Sequence, residues 1–139
     1  MAHKKYLAYV DGSFKNECAG YGLIVLLNNS EVYWDCGRIK KYVESRQVVG
    51  ELGAAVRVVQ WCQVNNIPAV EIRYDFHGVK WWATGYWKRK QPLTQEYYRY
   101  MQRQMNHVKI NWRKVKAHSG NHWNDVADAL AKQGATDGT

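Results

Sequence analysis

The feature that most limits the fold of this chain is the order of its hydrophobic patterns, in which segments typical of strands come first and helical segments follow. Segments typical of β-strands come first, at residues 6–10, 20–27 and 32–39. The period then becomes helical, because apolar side chains recur at i, i+3, i+4 and i+7 from Leu52. The remaining pattern predicts a helix at 50–62, a strand at 70–74, helices at 78–83 and 95–105 and a strand at 109–115. A last helix is predicted to start near Asn124, a favoured N-cap, and to end at Gly134.

This βββαβααβα order predicts an α/β fold with one five-stranded mixed sheet flanked by helices. The turn signals Asp11-Gly12-Ser13 and Asn28-Asn29 separate the first three strands, which we therefore expect to be antiparallel. Strands 4 and 5 are expected to join by helical crossovers, with strand 1 near the centre of the sheet. At 139 residues, without a repeat or a linker, the chain is interpreted as one domain spanning 1–139.

Composition restricts the classes of function. The formal net charge is +8, from 20 Lys plus Arg against 12 Asp plus Glu. Such a surface is either simply solvated or suited to a polyanion such as nucleic acid, on which some of the 7 Trp and 10 Tyr could stack. No apolar run approaches the roughly 20 residues of a membrane span, so no membrane is expected. The three cysteines have neither disulfide nor zinc-ligand spacing, which favours a reducing, cytoplasmic setting.

Four carboxylates stand at meaningful positions. Asp11 and Asp75 each end a predicted strand, where ligand crevices form in open α/β sheets. Glu51 is predicted to open the first helix and Asp128 to lie in the first turns of the last one, where the helix dipole alone would explain an acid. Taken singly, each is better explained by a structural or solvated role. This holds least for Asp75, because carboxylates are rarely buried without a partner.

If the four side chains converge, their mutual repulsion requires cations. Oxygen ligands without a cluster of His or Cys select Mg²⁺ or Mn²⁺ rather than zinc. A carboxylate cluster that holds two such ions about 3.5–4 Å apart suits in-line displacement at phosphorus. The residues alone leave open whether the four acids converge.

Five segments carry a resemblance to a known family. They are YVDGS at 9–13, GELGAA at 50–55, IRYD at 72–75, VKAHSG at 115–120 and ADALA at 127–131. Each is a weak signal alone, but together, in this order and on the predicted elements, they resemble the type 1 ribonuclease H family over about residues 5–135.

The resemblance implies both a fold and an activity. The fold is the ribonuclease H-like fold, and the activity is endonucleolytic hydrolysis of the RNA strand of RNA–DNA hybrids, leaving 5′-phosphate and 3′-hydroxyl ends. It further implies that Asp11, Glu51, Asp75 and Asp128 hold two Mg²⁺ ions, for which Mn²⁺ can substitute. It also implies that His118 is catalytic, through proton transfer or product departure.

Substrate contacts follow from the same resemblance and from the shape of a hybrid, whose 2′-hydroxyls lie in a wide, shallow minor groove. The expected contacts are backbone amides beside the first carboxylate, side chains before and after the carboxylate segments, and an aromatic, basic turn. These residues are Gly12, Ser13, Arg46, Gln47, His77, Trp87, Lys88 and Arg89.

The chain departs from the family's pattern in ways that bear on substrate affinity. The family often has Asn at the position of Gln47 and Ser at that of Phe76. The segment 85–94 is short, with basic residues at 88–90 only, where many members carry a long basic protrusion. No separate hybrid-binding domain precedes Asp11. We interpret the chain as a compact form of the family that acts as a monomer, with no protein partner implied.

Other functions fit parts of the same pattern. A transposase or a Holliday-junction resolvase also uses an acidic cluster on this fold, but resembles the chain less at 50–55 and 115–120. Cleavage of DNA-only substrates would favour that alternative. A non-catalytic nucleic-acid-binding module is the second alternative, against which the retention of all four acids counts. A basic domain with no role in nucleic-acid binding is the third and least favoured.

Overall fold

The computed structural model describes residues 4–117 and 120–137. The elements follow the predicted order, with one additional 3₁₀ turn at Val43–Ser45. They are β1 (Tyr6–Lys15), β2 (Cys18–Leu27), β3 (Ser30–Ile39), α1 (Gln47–Val64), β4 (Ala69–Tyr74), α2 (Gly78–Ala83), α3 (Pro92–Gln104), β5 (Lys109–Lys114) and α4 (His122–Asp137).

The five strands form one mixed sheet in the order β3-β2-β1-β4-β5, which confirms the predicted fold class. β1 pairs antiparallel with β2, and β2 pairs antiparallel with β3. β4 pairs parallel with β1, and β5 pairs parallel with β4. β1 is therefore the central strand, and the carboxyl ends of β1 and β4 point in the same direction.

Helices cover the two faces of the sheet unequally. The larger core lies under α1, α2 and α3 and takes the even-numbered side chains of β4, such as Ile72. On the other face α4 packs against β1, β2 and β3. There Leu7 and Tyr9 form a smaller core with Ile24, Leu26 and Ala127. Among the residues that the structure describes, no helix is long and apolar enough to cross a bilayer.

The predicted turn at Asp11-Gly12-Ser13 is wrong. β1 continues through these residues to Lys15, and the chain reverses instead at Asn16 and Glu17, whose φ angles are 51° and 64°. Two consecutive positive φ angles are the mark of a type I′ hairpin turn. The second hairpin reverses at Asn28-Asn29 as predicted, with φ angles of 49° and 72°.

Gly12 has a different purpose from the one that the turn signal suggested. A Cβ atom at this position would lie 2.3 Å from the backbone nitrogen of Glu51 and from the backbone oxygen of Gln47. The glycine therefore lets the start of α1 pack directly on the backbone of β1.

Both long outer helices begin earlier than the sequence predicted. α1 begins at Gln47, so Glu51 lies in its second turn rather than at its start. α4 begins at His122, and the predicted N-cap Asn124 is wrong. Asn121 caps this helix instead, because its Oδ1 accepts hydrogen bonds from the backbone N–H groups of Trp123 (3.1 Å) and Asn124 (3.2 Å).

The predicted end of α4 at Gly134 is also wrong, since the helix runs on to Asp137. Gly134 is a packing glycine: a Cβ atom there would lie 2.4 Å from the backbone oxygen of Gly37 on β3. Gly22 on β2 has the same purpose, because a Cβ atom there would lie 2.5 Å from the backbone oxygen of Ala127. α4 is thus seated on the sheet through backbone contacts.

Two glycines of α1 test this account of close packing. A Cβ atom at Gly50 would lie 2.1 Å from the backbone oxygen of Gly20, which cannot move without disturbing β2. A Cβ atom at Gly53 would lie 2.4 Å from Cδ1 of Ile39 and 3.3 Å from Nη1 of Arg57, both at the ends of flexible side chains. Both substitutions by Ala remove the same helix-propensity penalty of about 1 kcal/mol. We expect Gly50→Ala to destabilise the protein by about 2 kcal/mol or more and Gly53→Ala to be near neutral in urea unfolding.

Candidate active site

Asp11 and Asp75 lie side by side at the edge where β1 and β4 separate. Tyr9 pairs with Arg73 in the parallel register, and each aspartate comes two residues later on its own chain. Beyond this point β1 continues against β2 alone, with Asp11 opposite Gly22. The predicted placement of Asp75 directly after β4 is correct, whereas Asp11 lies within β1 rather than at its end.

Glu51 reaches the two aspartates because α1 packs so closely on β1. The glycine contact described above fixes its backbone beside Gly12. Asp11, Glu51 and Asp75 each offer one oxygen atom, and these three atoms lie within 4.8 Å of one another. The three carboxylates therefore form a set that could hold a metal ion.

Asp128 approaches the same set from α4. It lines a cleft of about 290 Å³. Its Oδ2 forms an ion pair with Nζ of Lys132, one helical turn later, at 3.0 Å. Within the described part of the chain, the structure thus brings all four predicted acids to one cleft. The full lining is Asp11, Gly12, Gln47, Val48, Glu51, Asp75, Phe76, Ala117, Asn124 and Asp128.

Burial and mutual repulsion make these carboxyl groups hard to ionise. Burial, followed by the charge of Asp75, raises the pKa of Asp11 to about 7. Burial and the charges of Asp11 and Asp75 raise the pKa of Glu51 well above its ordinary value. The Gly12 N–H donates to Oδ1 of Asp11 at 2.9 Å, which partly offsets the effect there. Full ionisation of the cluster near neutral pH therefore needs positive charge nearby.

Two buried oxygen atoms of the cleft residues fit a hard cation. Oε2 of Glu51 and Oδ1 of Asn124 have no hydrogen-bond partner among the described residues. Buried acceptors left unpaired are costly, so such atoms indicate a missing partner. The donor set consists of oxygen atoms only, which is the chemistry of Mg²⁺, Mn²⁺ or Ca²⁺.

Asn124 is a cleft residue that the sequence reading missed. Its exposed fraction is only 2%, and it lies one helical turn before Asp128, on the same side of α4. That i, i+4 spacing was the available signal. The preference of Asn for helix starts suggested a cap instead.

The residues expected to contact the backbone of a hybrid lie around this cleft to different degrees. Gly12 and Gln47 line it. Ser13 follows on β1 and is half-buried. Arg46 is exposed just before α1, with a φ of 60° and its guanidinium 5.9 Å from the ring centre of Phe14. His118 lies outside the described residues.

Aromatic side chains form a continuous cluster beside the cleft. His77 is exposed and stacks on Trp81, with ring centres 4.3 Å apart. Trp87 contacts Trp81 and also Phe76, which itself lines the cleft. Trp87 is thus half-buried among other rings, and Tyr86, with 76% of its surface exposed, is the more accessible ring of this segment.

The basic residues 88–90, which follow this cluster, are not equally accessible to a substrate. Lys88 is exposed. Arg89 instead folds back: its Nη1 donates to the carbonyl oxygens of Gly85 and Trp87, each at 3.0 Å. Its guanidinium also lies 4.2 Å from the ring centre of Tyr98. Its charge is therefore partly engaged within the protein.

Comparisons with known proteins agree with this geometry. A family model described as RNase H matches residues 3–136. Ribonuclease H of Cyanothece sp. is 29% identical over 138 residues, covering 89% of this chain and 85% of that protein. Ribonuclease H of Parvibaculum lavamentivorans is 30% identical, covering 91% of this chain and 89% of that one.

Solved structures show the same fold. RNase H1 from the halophilic archaeon Halobacterium salinarum has a TM-score of 0.80 at 19% identity, covering 96% of this chain and 98% of that one. LC11-RNase H1, solved in complex with an RNA/DNA hybrid, has a TM-score of 0.74 at 15% identity, covering 93% and 98%.

The raised pKa of Asp11 predicts how the metal-free protein responds to pH. In the unfolded chain this carboxyl ionises near its ordinary value of 3.8, and in the folded protein near 7. The free energy of unfolding should therefore fall as pH rises from about 4 to 7, because the unfolded state ionises first. Asp11→Asn removes this loss. With chelator present we expect the variant to be more stable than the unsubstituted protein at pH 8, by on the order of 4 kcal/mol, and no more stable at pH 4.

Urea unfolding at both pH values measures this difference. A gain of equal size at pH 4 and pH 8 would mean that the aspartate destabilises the fold through packing rather than through its charge.

Proposed function

The chain belongs to the RNase H family of enzymes, and from this premise we propose that it hydrolyses the RNA strand of RNA–DNA hybrids with two divalent cations, leaving 5′-phosphate and 3′-hydroxyl ends. The observation that carries the proposal is the cleft in which Asp11, Glu51 and Asp75 present oxygen atoms within 4.8 Å of one another, with Asp128 on its wall. A relative of the same fold was solved in complex with an RNA/DNA hybrid, which supports the choice of substrate.

The four carboxylates would hold two Mg²⁺ ions, with Mn²⁺ as a substitute. When bound, such a pair lowers the pKa of an attacking water and stabilises the leaving oxygen of an in-line displacement. Asp11 and Asp75 come from the central strands, so they would be the rigid part of this ligand set. Glu51 and Asp128 come from helices on opposite faces of the sheet and would complete it from either side.

The electrostatic state of the cleft supports this ligand set. Burial and the negative charges of its neighbours hold the pKa of Glu51 well above the ordinary value, and Oε2 of Glu51 has no hydrogen-bond partner among the described residues. Cations would relieve the repulsion and take up the unpaired oxygen. Lys132, now paired with Asp128 at 3.0 Å, would then share or release that carboxylate.

Proton transfer at the leaving group is assigned by this proposal to His118. Departure of the 3′ oxygen requires a proton, and imidazole is the side chain whose ordinary pKa suits proton exchange near neutral pH. The segment before it reaches the cleft, because Ala117 is one of the lining residues.

The hybrid itself would be held from two directions. Gly12, Ser13, Arg46 and Gln47 stand on the side of the cleft next to α1, where the scissile RNA strand would lie. The aromatic, basic segment with His77, Trp87, Lys88 and Arg89 would face the DNA strand. The Gly12 N–H donates to Asp11 in this structure, so a substrate would have to replace that hydrogen bond.

The three cysteines are free, in keeping with a proposed cytoplasmic setting, and the proposed active unit is the monomer.

Labelled duplexes test the reaction. With Mg²⁺ we expect cleavage of RNA in the hybrid only, with no cleavage of RNA–RNA or DNA–DNA duplexes, and 5′-phosphate and 3′-hydroxyl products. Chelator should stop the reaction. Products that end in a 2′,3′-cyclic phosphate would mean that the substrate's own 2′-hydroxyl attacks, and the two-cation mechanism would then be wrong.

Asp75→Asn is the matched variant for this assay. It keeps the shape of the side chain and removes one negative charge, so we expect turnover to fall below detection while the metal-free protein is equally or more stable. Near-normal turnover with Mg²⁺ would exclude Asp75 as a ligand. Loss of folding would show that the residue is structural.

His118→Ala separates proton transfer from cation binding. We expect turnover to fall by roughly 10- to 1000-fold, as for one positioned acid–base group, with the dependence on Mg²⁺ concentration unchanged. His122→Ala is the control, because His122 is exposed at the start of α4 and should not alter the rate. An unaltered rate in His118→Ala would return this residue to an ordinary surface role.

A further inference from the structure

Positively charged side chains form a row on β4 and β5, on the face of the sheet that α4 covers at β1, β2 and β3. α4 packs against β1, β2 and β3, so the odd-numbered side chains of β4 and β5 are not under that helix. On β5 these side chains are Lys109, Asn111 and Arg113, and all three are exposed. We call this surface the β4–β5 face and define it by Lys5, Glu71, Arg73, Lys109, Asn111 and Arg113.

The charge on the β4–β5 face is strongly unbalanced. It carries four cations, at Lys5, Arg73, Lys109 and Arg113, against the single carboxylate of Glu71. Arg73 and Arg113 are direct cross-strand neighbours in the parallel register. Like charges at such positions destabilise a sheet, and the ion pair of Arg73 with Glu71 offsets this repulsion only in part.

Arg73 is held in a fixed orientation. Its Nε donates to Oε2 of Glu71 at 2.7 Å, and its Nη1 donates to the hydroxyl of Tyr9, also at 2.7 Å. A guanidinium fixed in this way loses little entropy when it binds an oxyanion.

The β4–β5 face is continuous with the carboxylate cleft. Asp75 follows Arg73 by two residues, directly after the end of β4, and lines the cleft. From Arg113 the row extends away from the cleft for four residues to Lys109, or about 13 Å. A nucleic-acid strand that leaves the cleft in this direction would lie along this row of positively charged side chains.

Protection of an edge strand explains only part of this pattern. Basic side chains on an outer strand such as β5 discourage pairing with other molecules, and Lys109 would suffice for that purpose. Arg73 is not on the outer strand and is largely covered, with 20% of its side chain exposed. Its position directly beside Arg113 in the parallel register therefore needs another reason.

We propose that the β4–β5 face is a phosphate-binding surface that holds the nucleic-acid backbone beyond the cleft, with Arg113 and Arg73 as its main contacts. The proposal rests on the proposed function for the location of the strand, but not for its test. The shared chemistry is the phosphodiester group, which could belong to the duplex itself or to a single-stranded extension.

The test is hybrid binding against salt concentration, with chelator present so that no strand is cut. Each lost phosphate contact lowers the slope of log affinity against log salt by about 0.9 on a duplex and about 0.7 on a single strand. We expect Arg113→Ala to lower the slope by about one such contact and Arg113→Glu to lower it further. Arg99→Ala, which removes an exposed arginine on α3 across the sheet, is the matched control and should leave the slope unchanged.

Two probes identify the source of the phosphate. A lower slope on a blunt hybrid assigns the face to the duplex, and a lower slope only on a hybrid with a single-stranded extension assigns it to that extension. Either result supports the proposal. A slope equal to that of Arg99→Ala on both probes overturns it, as does weaker binding of polyglutamate without any change on nucleic acid, which would indicate an acidic protein partner.

The reaction assay keeps the two proposals separate. The control Arg99→Ala should cut hybrid at the same rate as the unsubstituted protein, because Arg99 lies on α3 and does not line the cleft. If the unsubstituted protein cuts no hybrid, the proposed function fails while the salt dependence still tests the β4–β5 face.

Discussion

The active-site geometry depends on direct backbone contact between two helices and the central part of the sheet. The contact is possible because Gly12, next to Asp11 in the chain, and Gly22, opposite Asp11 on β2, have no side chains. Gly12 admits α1 and with it Glu51. Gly22 admits α4 at Ala127, the residue before Asp128. A side chain at either glycine would push a helix away, and one carboxylate would leave the cleft with it.

The same close packing creates an electrostatic cost that the fold carries in the absence of cations. Carboxyl groups that are buried and adjacent resist ionisation, as the raised pKa values of Asp11 and Glu51 reflect. Packing in the glycine contacts must offset this cost. Cations that bound the assembled cluster and not the unfolded chain would stabilise the folded state.

The sequence predicted most of the fold and named the four acids that the structure brings to one cleft, and its errors share a cause. Periodicity identifies elements, so their order and type were correct, including the short helix α2. Glycine was interpreted as a turn or stop signal at Gly12 and Gly134, where its real purpose is close approach between elements that are distant in the chain. Asn124 was likewise interpreted from its local sequence, as a helix cap, although it lines the cleft together with the carboxylates. Local rules cannot represent a contact with a partner that lies far away in sequence.

At the residue before α1, backbone stability and the proposed substrate contact favour different side chains. Arg46 has a φ of 60° and a ψ of −129°, a backbone conformation that glycine adopts freely and that costs other residues of order 1–3 kcal/mol. Glycine would therefore be the choice of any procedure that optimises thermal stability alone. Such a procedure would delete the guanidinium that is proposed above to contact the substrate, so a more heat-resistant form of this protein obtained at position 46 would be expected to hold its substrate less well.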